Sequence, residues 1–516
     1  TPPAQWWLYD SPWVINTYTS SKVSEGGSVT KTESCFDSST GYLWYTRSLK
    51  LIGTGGADPA QSTSDVITRR THTAGNTTRE ESFGGDTQSV GTGSLCSLTL
   101  PTAAYRVDHT YQYGSLKTSR YVNSSGTPLS HFNIDVDLDA NTGLVATSRD
   151  SAGLATDYLY DNMGRLTWEK PRTTPVNGGS WVQHCYIKYV DGPTKVPARV
   201  DNYWWPNGVT QPCLTYSGNL RREAVDVDGF GRPWREYRKM FDASWAQRLT
   251  TYNGLGWTTS VSEWQQYPVS QVKKTEYLGF DPFGRPGTIR PADGSTHDTT
   301  LTYAGVRLTT RTQKVATAAG VETPATRTEE YDRQGRLWKV TEPSGSFGAN
   351  ITTTYAYDVG GRLKQATTPS VVTQSRIFTY DGRGFLTSEQ LPEIGLSGNG
   401  TIFYSKLDAR GHARRVQDGQ HDLAFTYDAA ERLTQVAQAD ASGNPGTPVV
   451  TAFSYATANG ASNWKNGKLE TATAYNPDLT SATVVETYTY GGAAGRVSAR
   501  QTQVEGRTIN QSFAWT

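Results

Sequence analysis

Apolar and polar residues alternate along most of the chain with a period of two, as in Ile351-Thr-Thr-Thr-Tyr355-Ala-Tyr357 and Val484-Val-Glu-Thr-Tyr488-Thr-Tyr490. A period of two places successive side chains on opposite faces of a strand. No window sustains a helical period, and the abundant Thr, Tyr and Gly favour strands and turns, so the pattern predicts an all-β protein. The predicted strands are punctuated by a recurring phrase: a Tyr-Asp pair, two variable residues, then Gly-Arg and an apolar residue. It reads Tyr160-Asp161-Asn-Met-Gly164-Arg165-Leu166, Tyr331-Asp332-Arg-Gln-Gly335-Arg336-Leu337 and Tyr357-Asp358-Val-Gly-Gly361-Arg362-Leu363. Looser copies are Val227-Asp228 with Gly231-Arg232, Phe280-Asp281 with Gly284-Arg285, Tyr380-Asp381 with Gly384-Phe385, and Leu407-Asp408 with Gly411-His412. From Asp228 onward most copies begin roughly 20 to 28 residues apart, the period of a stacked-repeat architecture.

Each unit reads as a strand ending in Tyr-Asp, a tight turn, and a second strand opening with Arg-Leu, that is, a β-hairpin. The Asp carboxylate is expected to accept hydrogen bonds from backbone N–H groups one or two residues on, and the Gly to supply a positive φ. The Arg after the Gly falls across from the Asp, where an ion pair pins the register. Thus Asp161, Asp228, Asp281, Asp332, Asp358 and Asp381 are the expected turn carboxylates. Gly164, Gly231, Gly284, Gly335, Gly361 and Gly384 are their bends, and Arg165, Arg232, Arg285, Arg336 and Arg362 the partners.

The phrase resembles the YD-repeat, or Rhs-repeat, family over residues 150 to 497, and Ser151-Ala-Gly153-Leu-Ala-Thr-Asp157-Tyr158-Leu-Tyr160-Asp161 is similar to the strand leading into a family repeat. The resemblance implies hairpins joined into one long, β-solenoid-like sheet that spirals into a hollow shell or tube, as in bacterial toxin shells and the larger teneurin-type barrels. Asp281-Pro282-Phe283-Gly284 resembles part of the family's Asp-Pro-x-Gly boundary between shell and effector. Here Arg285-Pro286 and further repeats follow, so it is read as an ordinary turn, and no catalytic residue is carried over. Residues 1–150, which lack a clean motif, are expected to be degenerate β repeats or an N-terminal cap. Residues 151–516 are the array, with an irregular insert at about 170–220.

Composition sharpens this picture. Hydrophobic residues make up 35% of the 516 and the mean hydropathy is −0.57, which fits a sheet with both faces partly wet, stabilised by cross-strand pairs and neighbour stacking. The 29 Tyr and 15 Trp supply buried area that aliphatic residues do not. A net charge of +1 with mixed signs lacks the footprint of a nucleic-acid binder, and no apolar run reaches the length of a membrane span. Thr1 does not open a signal peptide, so the chain reads as a processed or excised part of a larger polypeptide whose secretion signal lies upstream. Cys35, Cys96, Cys185 and Cys213 allow three full pairings. Proximity favours Cys35 with Cys96 and Cys185 with Cys213, free thiols being the alternative, and neither spacing suits zinc. Few Met, four Cys and the Thr/Gly/Tyr richness point to a secreted or cell-surface protein.

Ten to twelve hairpins make a sheet about 100 to 115 Å long. Closed once, its diameter of about 35 Å barely matches a folded cargo of about 34 Å. More repeats of the parent polypeptide, or further copies of the chain, are therefore expected partners.

Among other candidates, Asp135, Asp137, Asp139 and Asn141 place oxygen ligands at alternate positions, which suits a strand face or a calcium loop. The usual loop wants Gly at 140 and Glu at 146, both Ala here; a solvated acidic strand is preferred and calcium kept as the alternative. Trp204-Trp205 and Trp6-Trp7 are candidate stacking platforms for glycans, against the commoner division of adjacent aromatics between two faces. The seven His show no metal or triad spacing, and no nucleophile elbow or phosphate loop occurs. No cofactor and no enzymatic activity are expected. The expected function is a non-catalytic extracellular shell that encapsulates or delivers an effector outside this chain. The alternative is a self-assembling cell-surface filament or adhesin, glycan-binding in one form.

Overall fold

The structure, a computed structural model, describes residues 17–172, 181–187, 199–205, 221–268, 271–318, 321–344, 350–369, 373–395, 400–461, 463–475, 482–491 and 495–514. Trp6, Trp7 and Cys213 lie outside the described residues. Those described form 37 β-strands and two three-residue 3-10 turns, with no α-helix among them. No helix of the described residues is long and apolar enough to cross a membrane.

The chain divides into two compact units. The first comprises Thr1–Ala155, Tyr357–Gln365 and Ser375–Trp515, the second Thr156–Ala356 and Ala366–Gln374. Within each, consecutive strands pair antiparallel, so the sheet grows hairpin by hairpin in chain order, except that Gln265–Tyr267 pairs back onto Trp245–Tyr252 and Thr258–Ser262 pairs with Lys274–Leu278. In the second unit Arg199–Trp205 pairs with Arg222–Val227, which pairs with Pro233–Lys239, which pairs with Trp245–Tyr252. The register slips by one residue where a strand enters its Asp turn, as at Leu159/Tyr160, Asp226/Val227 and Glu330/Tyr331. The slip marks an extra residue on the outgoing strand, a bulge that a turn of this type requires.

Cores are thin and local. In the first unit Ile67 and Phe83 are fully buried beside Cys35, Val90 and Leu95, and Cys35 is bonded to Cys96 across 61 residues. In the second, Cys185, Tyr203 and Trp205 cluster against Trp168, and the Trp205 indole donates to Gln183 Oε1 at 2.9 Å.

Parts of the first unit that are distant in sequence also meet. The Gly382 amide donates to Lys50 O at 2.7 Å. The Arg383 side chain, fully buried, donates to Ser64 O at 2.6 Å and pairs with Asp86 at 3.1 Å. Gly85 forms a β-bridge with Asp408, and the Asp86 amide donates to Leu407 O. Further along, Ser151 Oγ donates to Asn466 O, Asn459 Nδ2 to Ala152 O, and Lys468 pairs with Asp150. The bonded partners stand 297 to 332 residues apart, from Arg383–Asp86 to Gly382–Lys50. The turns of the 375–515 stretch are thus seated on the strand connections of the 17–155 stretch.

Candidate functional site

The Asp turns form the site with the densest chemistry. In the turns opening at Asp161, Asp228, Asp281 and Asp332, Oδ1 accepts the backbone N–H groups two and four residues on. Oδ2 accepts the Nε–H of the Arg four residues on, at 2.7–2.8 Å. The donors lie two and four residues away instead of one and two because the backbone makes a type I turn followed by a positive-φ residue. The Gly amide donates to the Asp carbonyl, and the Asp amide to the Arg carbonyl. Gly164, Gly231, Gly284, Gly335 and Gly361 have φ between 75° and 80°, and Gly384 98°. Asp358 holds the amide and Nε of Arg362, both at 2.8 Å. Asp381 faces Phe385 where the others face Arg, and Arg383, two positions past the turn's start, supplies the guanidinium instead. The hydrogen bond from the paired Arg holds the Asp161 and Asp228 carboxyls below the usual range. At Asp281 and Asp332 partial burial pushes upward, but the amide and guanidinium of Arg285 and Arg336 outweigh it and the carboxyls are lowered.

A second link joins successive repeats. The turn Arg lies over the ring of the Tyr that ends the next repeat's first strand: Arg232 over Tyr252 at 4.4 Å, Arg285 over Tyr303 at 4.2 Å, Arg362 over Tyr380 at 4.5 Å and Arg432 over Tyr455 at 4.1 Å. The hydroxyls of Tyr252, Tyr303, Tyr455 and Tyr490 donate back to the carbonyls of Pro233, Pro286, Leu433 and Leu469, each the residue after the preceding turn's cation. The turn Gly completes the contact. A β-carbon on Gly256 would lie 2.9 Å from the Arg232 guanidinium, one on Gly284 2.8 Å from the Trp257 indole, and one on Gly384 2.7 Å from Arg362. Gly therefore serves the fold twice, by its φ and by letting the next turn approach. Of the other motif tyrosines, Tyr160 is pushed up in pKa by burial, Tyr331 donates to Glu329 at 2.9 Å, and Tyr357 ends the strand Ile351–Tyr357. Arg165 lies over Tyr186 at 4.4 Å.

At Asp408 the motif is turned to another use. The carboxylate is buried; Oδ1 accepts the amides of Arg410 and His412. Oδ2 takes the Tyr105 hydroxyl at 2.5 Å, Arg414 at 3.0 Å and His412 Nδ1 at 3.1 Å. Burial raises its pKa, but these donors outweigh burial and hold it far below the ordinary range. Burial and the adjacent carboxylate push the Tyr105 hydroxyl well above its own range. Both carboxylate oxygens are fully engaged, leaving no lone pair for a proton or a substrate, so the group is a fastening between the two stretches of the first unit.

The remaining candidates separate. Asp135 pairs with Arg120 and Arg149, and Asp137 with Arg149. Asp139 Oδ1 accepts the Asn141 and Thr142 amides and the Thr142 hydroxyl. These carboxylates do not converge, and among the described residues no group of three or more His, Cys, Asp or Glu is placed to hold a metal. Trp205 is buried, whereas Trp204 carries the Arg221 guanidinium over its ring at 4.4 Å; the pair is divided between faces and offers no joint platform. Cys185 is disulfide-bonded.

Hairpins closed by Asp-Arg turns and tied by the following Tyr define an all-β YD-repeat array. Residues 331–370 match the RHS Repeat family. Among solved structures the chain is similar to TcdB2-TccC3, with TM-score 0.61 at 12% identity over 94% of this chain and 30% of that one. TcdB2-TccC3-TEV gives 0.56 at 12%, and TcdB2-TccC3 without its hypervariable C-terminal region 0.55 at 11%, again over 94% of this chain, and over 32% and 35% of theirs. At this identity the likeness is one of fold. The chain spans about a third of the length of these structures. No curated protein matches it by sequence.

Proposed function

We propose that the chain is a wall segment of an extracellular YD-repeat shell, non-catalytic in itself, that encloses or delivers an effector lying outside these residues. The carrying observation is the seating of late turns on early strand connections in the first unit, where Asp408, Arg383 and Asn466 fasten stretches more than 300 residues apart. A repeat sheet whose hairpin turns are fastened to the strand connections of another stretch is how a wall without gaps is built. The fold likeness to TcdB2-TccC3, of which this chain matches about a third, supports a role within a larger polypeptide. The Asp turns with their Arg and Tyr partners act as the structural residues of that wall, and the Cys35–Cys96 disulfide suits an oxidising exterior. Electron microscopy of the native, unproteolysed protein containing this chain is the test. Closed particles with density inside are expected, and a cargo inside them should resist added protease. Particles that are solid, or an interior open to protease, would defeat the reading.

A further inference from the structure

In the second unit the third residue of successive turns is large, apolar and exposed. Phe230 is 87% exposed, Leu255 72% and Phe283 78%, and Val306 at the following turn is equally open. Each turn closes a hairpin of the same antiparallel run, so the four tips stand on one edge, about 10 Å apart. The turn does not require an apolar group there: the same position holds Gln334, Gly360, Arg383 and Arg410 elsewhere. The connection between Pro233–Lys239 and Trp245–Tyr252 lies on the opposite edge and presents Met240 and a fully exposed Phe241.

The first unit shows what such an edge is for. There the third residues Arg383 and Ala430 are buried, and the turns sit on the strand connections of another stretch of sheet. That contact is charged, Arg383 meeting Asp86 and Arg410 meeting Glu80. In the second unit the run of tips from Phe230 to Val306 and the Met240-Phe241 connection opposite are apolar and exposed, although the Gln334 tip and the 292–297 connection are polar, and an exposed apolar row of this kind marks a contact surface.

We propose that the Phe230, Leu255, Phe283 edge is a self-association surface that seats on the Met240-Phe241 edge of a second copy of this chain. The two edges differ, so the contact is heterologous and leaves one edge of each kind open at the ends of any assembly. The inference does not depend on whether a cargo is enclosed.

Sedimentation velocity of the full chain over a concentration series tests it. Association rising with concentration is expected. The triple variant Phe230→Gln, Leu255→Gln, Phe283→Gln keeps a side chain that the Gln334 turn already carries, so circular dichroism should stay unchanged and melting fall only by the loss of the Arg232 and Arg285 stacking on Phe230 and Phe283, while the dissociation constant rises at least tenfold. Phe241→Gln on the other edge should do the same. An equimolar mixture of the two variants should form a dimer and stop there, since each retains one intact edge. A wild-type chain that stays monomeric to 100 μM (about the range of weak specific contacts), a mixture that fails to pair, or a monomer that binds lipid vesicles through the same tips would overturn the proposal.

Discussion

A glycine at the turn's fourth position has two separable jobs, and the turns divide them. At Gly335 φ is +80° and a β-carbon would meet nothing within 4 Å, whereas at Gly284 φ is again +80° but the β-carbon would strike the Trp257 indole. A left-handed conformation costs a non-glycine residue about 1 to 2 kcal/mol. Gly335→Ala should therefore lose about that much in urea unfolding, and Gly284→Ala should lose more because the indole must move. Equal losses at the two sites would mean that the close approach of successive turns contributes nothing. The carboxylates carry a signed expectation of their own. Asp161 and Asp228 are lowered by their Arg partners, so the stability they contribute is present above the ordinary carboxylate pKa and is lost as pH falls through the folded value. Charge-neutral Asp228→Asn should flatten the acid limb of the unfolding profile, as measured by denaturation at pH 7, 4 and 3.

At the scale of the hairpin, what ties one repeat to the next is the Arg-on-Tyr contact with its returning hydroxyl. In a double-mutant cycle on Arg432 and Tyr455, whose guanidinium and ring are 4.1 Å apart, the coupling should be about 0.5 to 1 kcal/mol for the stacked cation. Tyr455→Phe alone should lose only the bond to Leu433 O. A coupling of zero would reduce the Tyr to a strand aromatic. The turn itself was legible in the sequence because all its signals fall within five residues. The inter-repeat contact was not, because Arg and Tyr sit on different hairpins at spacings that vary from 18 residues between Arg285 and Tyr303 to 23 between Arg432 and Tyr455. The first 150 residues looked motif-free for a related reason. Their turns use the same carboxylate caps with hydroxyls in place of Arg: Asp37 holds Ser39 and Thr40, and Asp139 holds Thr142. The acidic run at Asp135 to Asn141 that resembles a calcium loop is one of these turns joined to a strand whose carboxylates face arginines. Seating of the turns at Asp381 and Asp408 on residues 50 to 105 left no local trace at all, since the partners are some 300 residues apart and the only hint was Phe385 and His412 standing where Arg was expected.

For the whole molecule the question is which fastenings resist loss of the rest. Cys35–Cys96 closes a loop of 61 residues in the first unit, and restricting the unfolded chain over that span is worth about 4 kcal/mol; Cys35→Ser with Cys96→Ser should lower unfolding stability by that order. The Asp408 cluster acts differently, because it stabilises through buried charge and not through the unfolded state. Its carboxylate is held far below the ordinary range by His412, Tyr105 and the surrounding amides, so its contribution is complete above the ordinary carboxylate pKa and is lost progressively as pH falls from there through the folded value. Asp408→Asn removes the buried charge and puts an NH2 in place of one of the two oxygens that the Tyr105 hydroxyl, the partly exposed Arg414 and the Arg410 and His412 amides share, a loss of about 1 to 3 kcal/mol for donors left without their acceptor. The 17–155 and 375–515 stretches should then separate before either unfolds. Amide hydrogen exchange on Asp408→Asn at pH 7 reads this directly: the amides of Gly382 and Asp86, which bond across to Lys50 and Leu407, should lose protection while those within the Ile67–Phe83 core keep theirs. Uniform loss across the first unit would show that its two stretches fold as one cooperative body and that the cluster is not a fastening with its own stability.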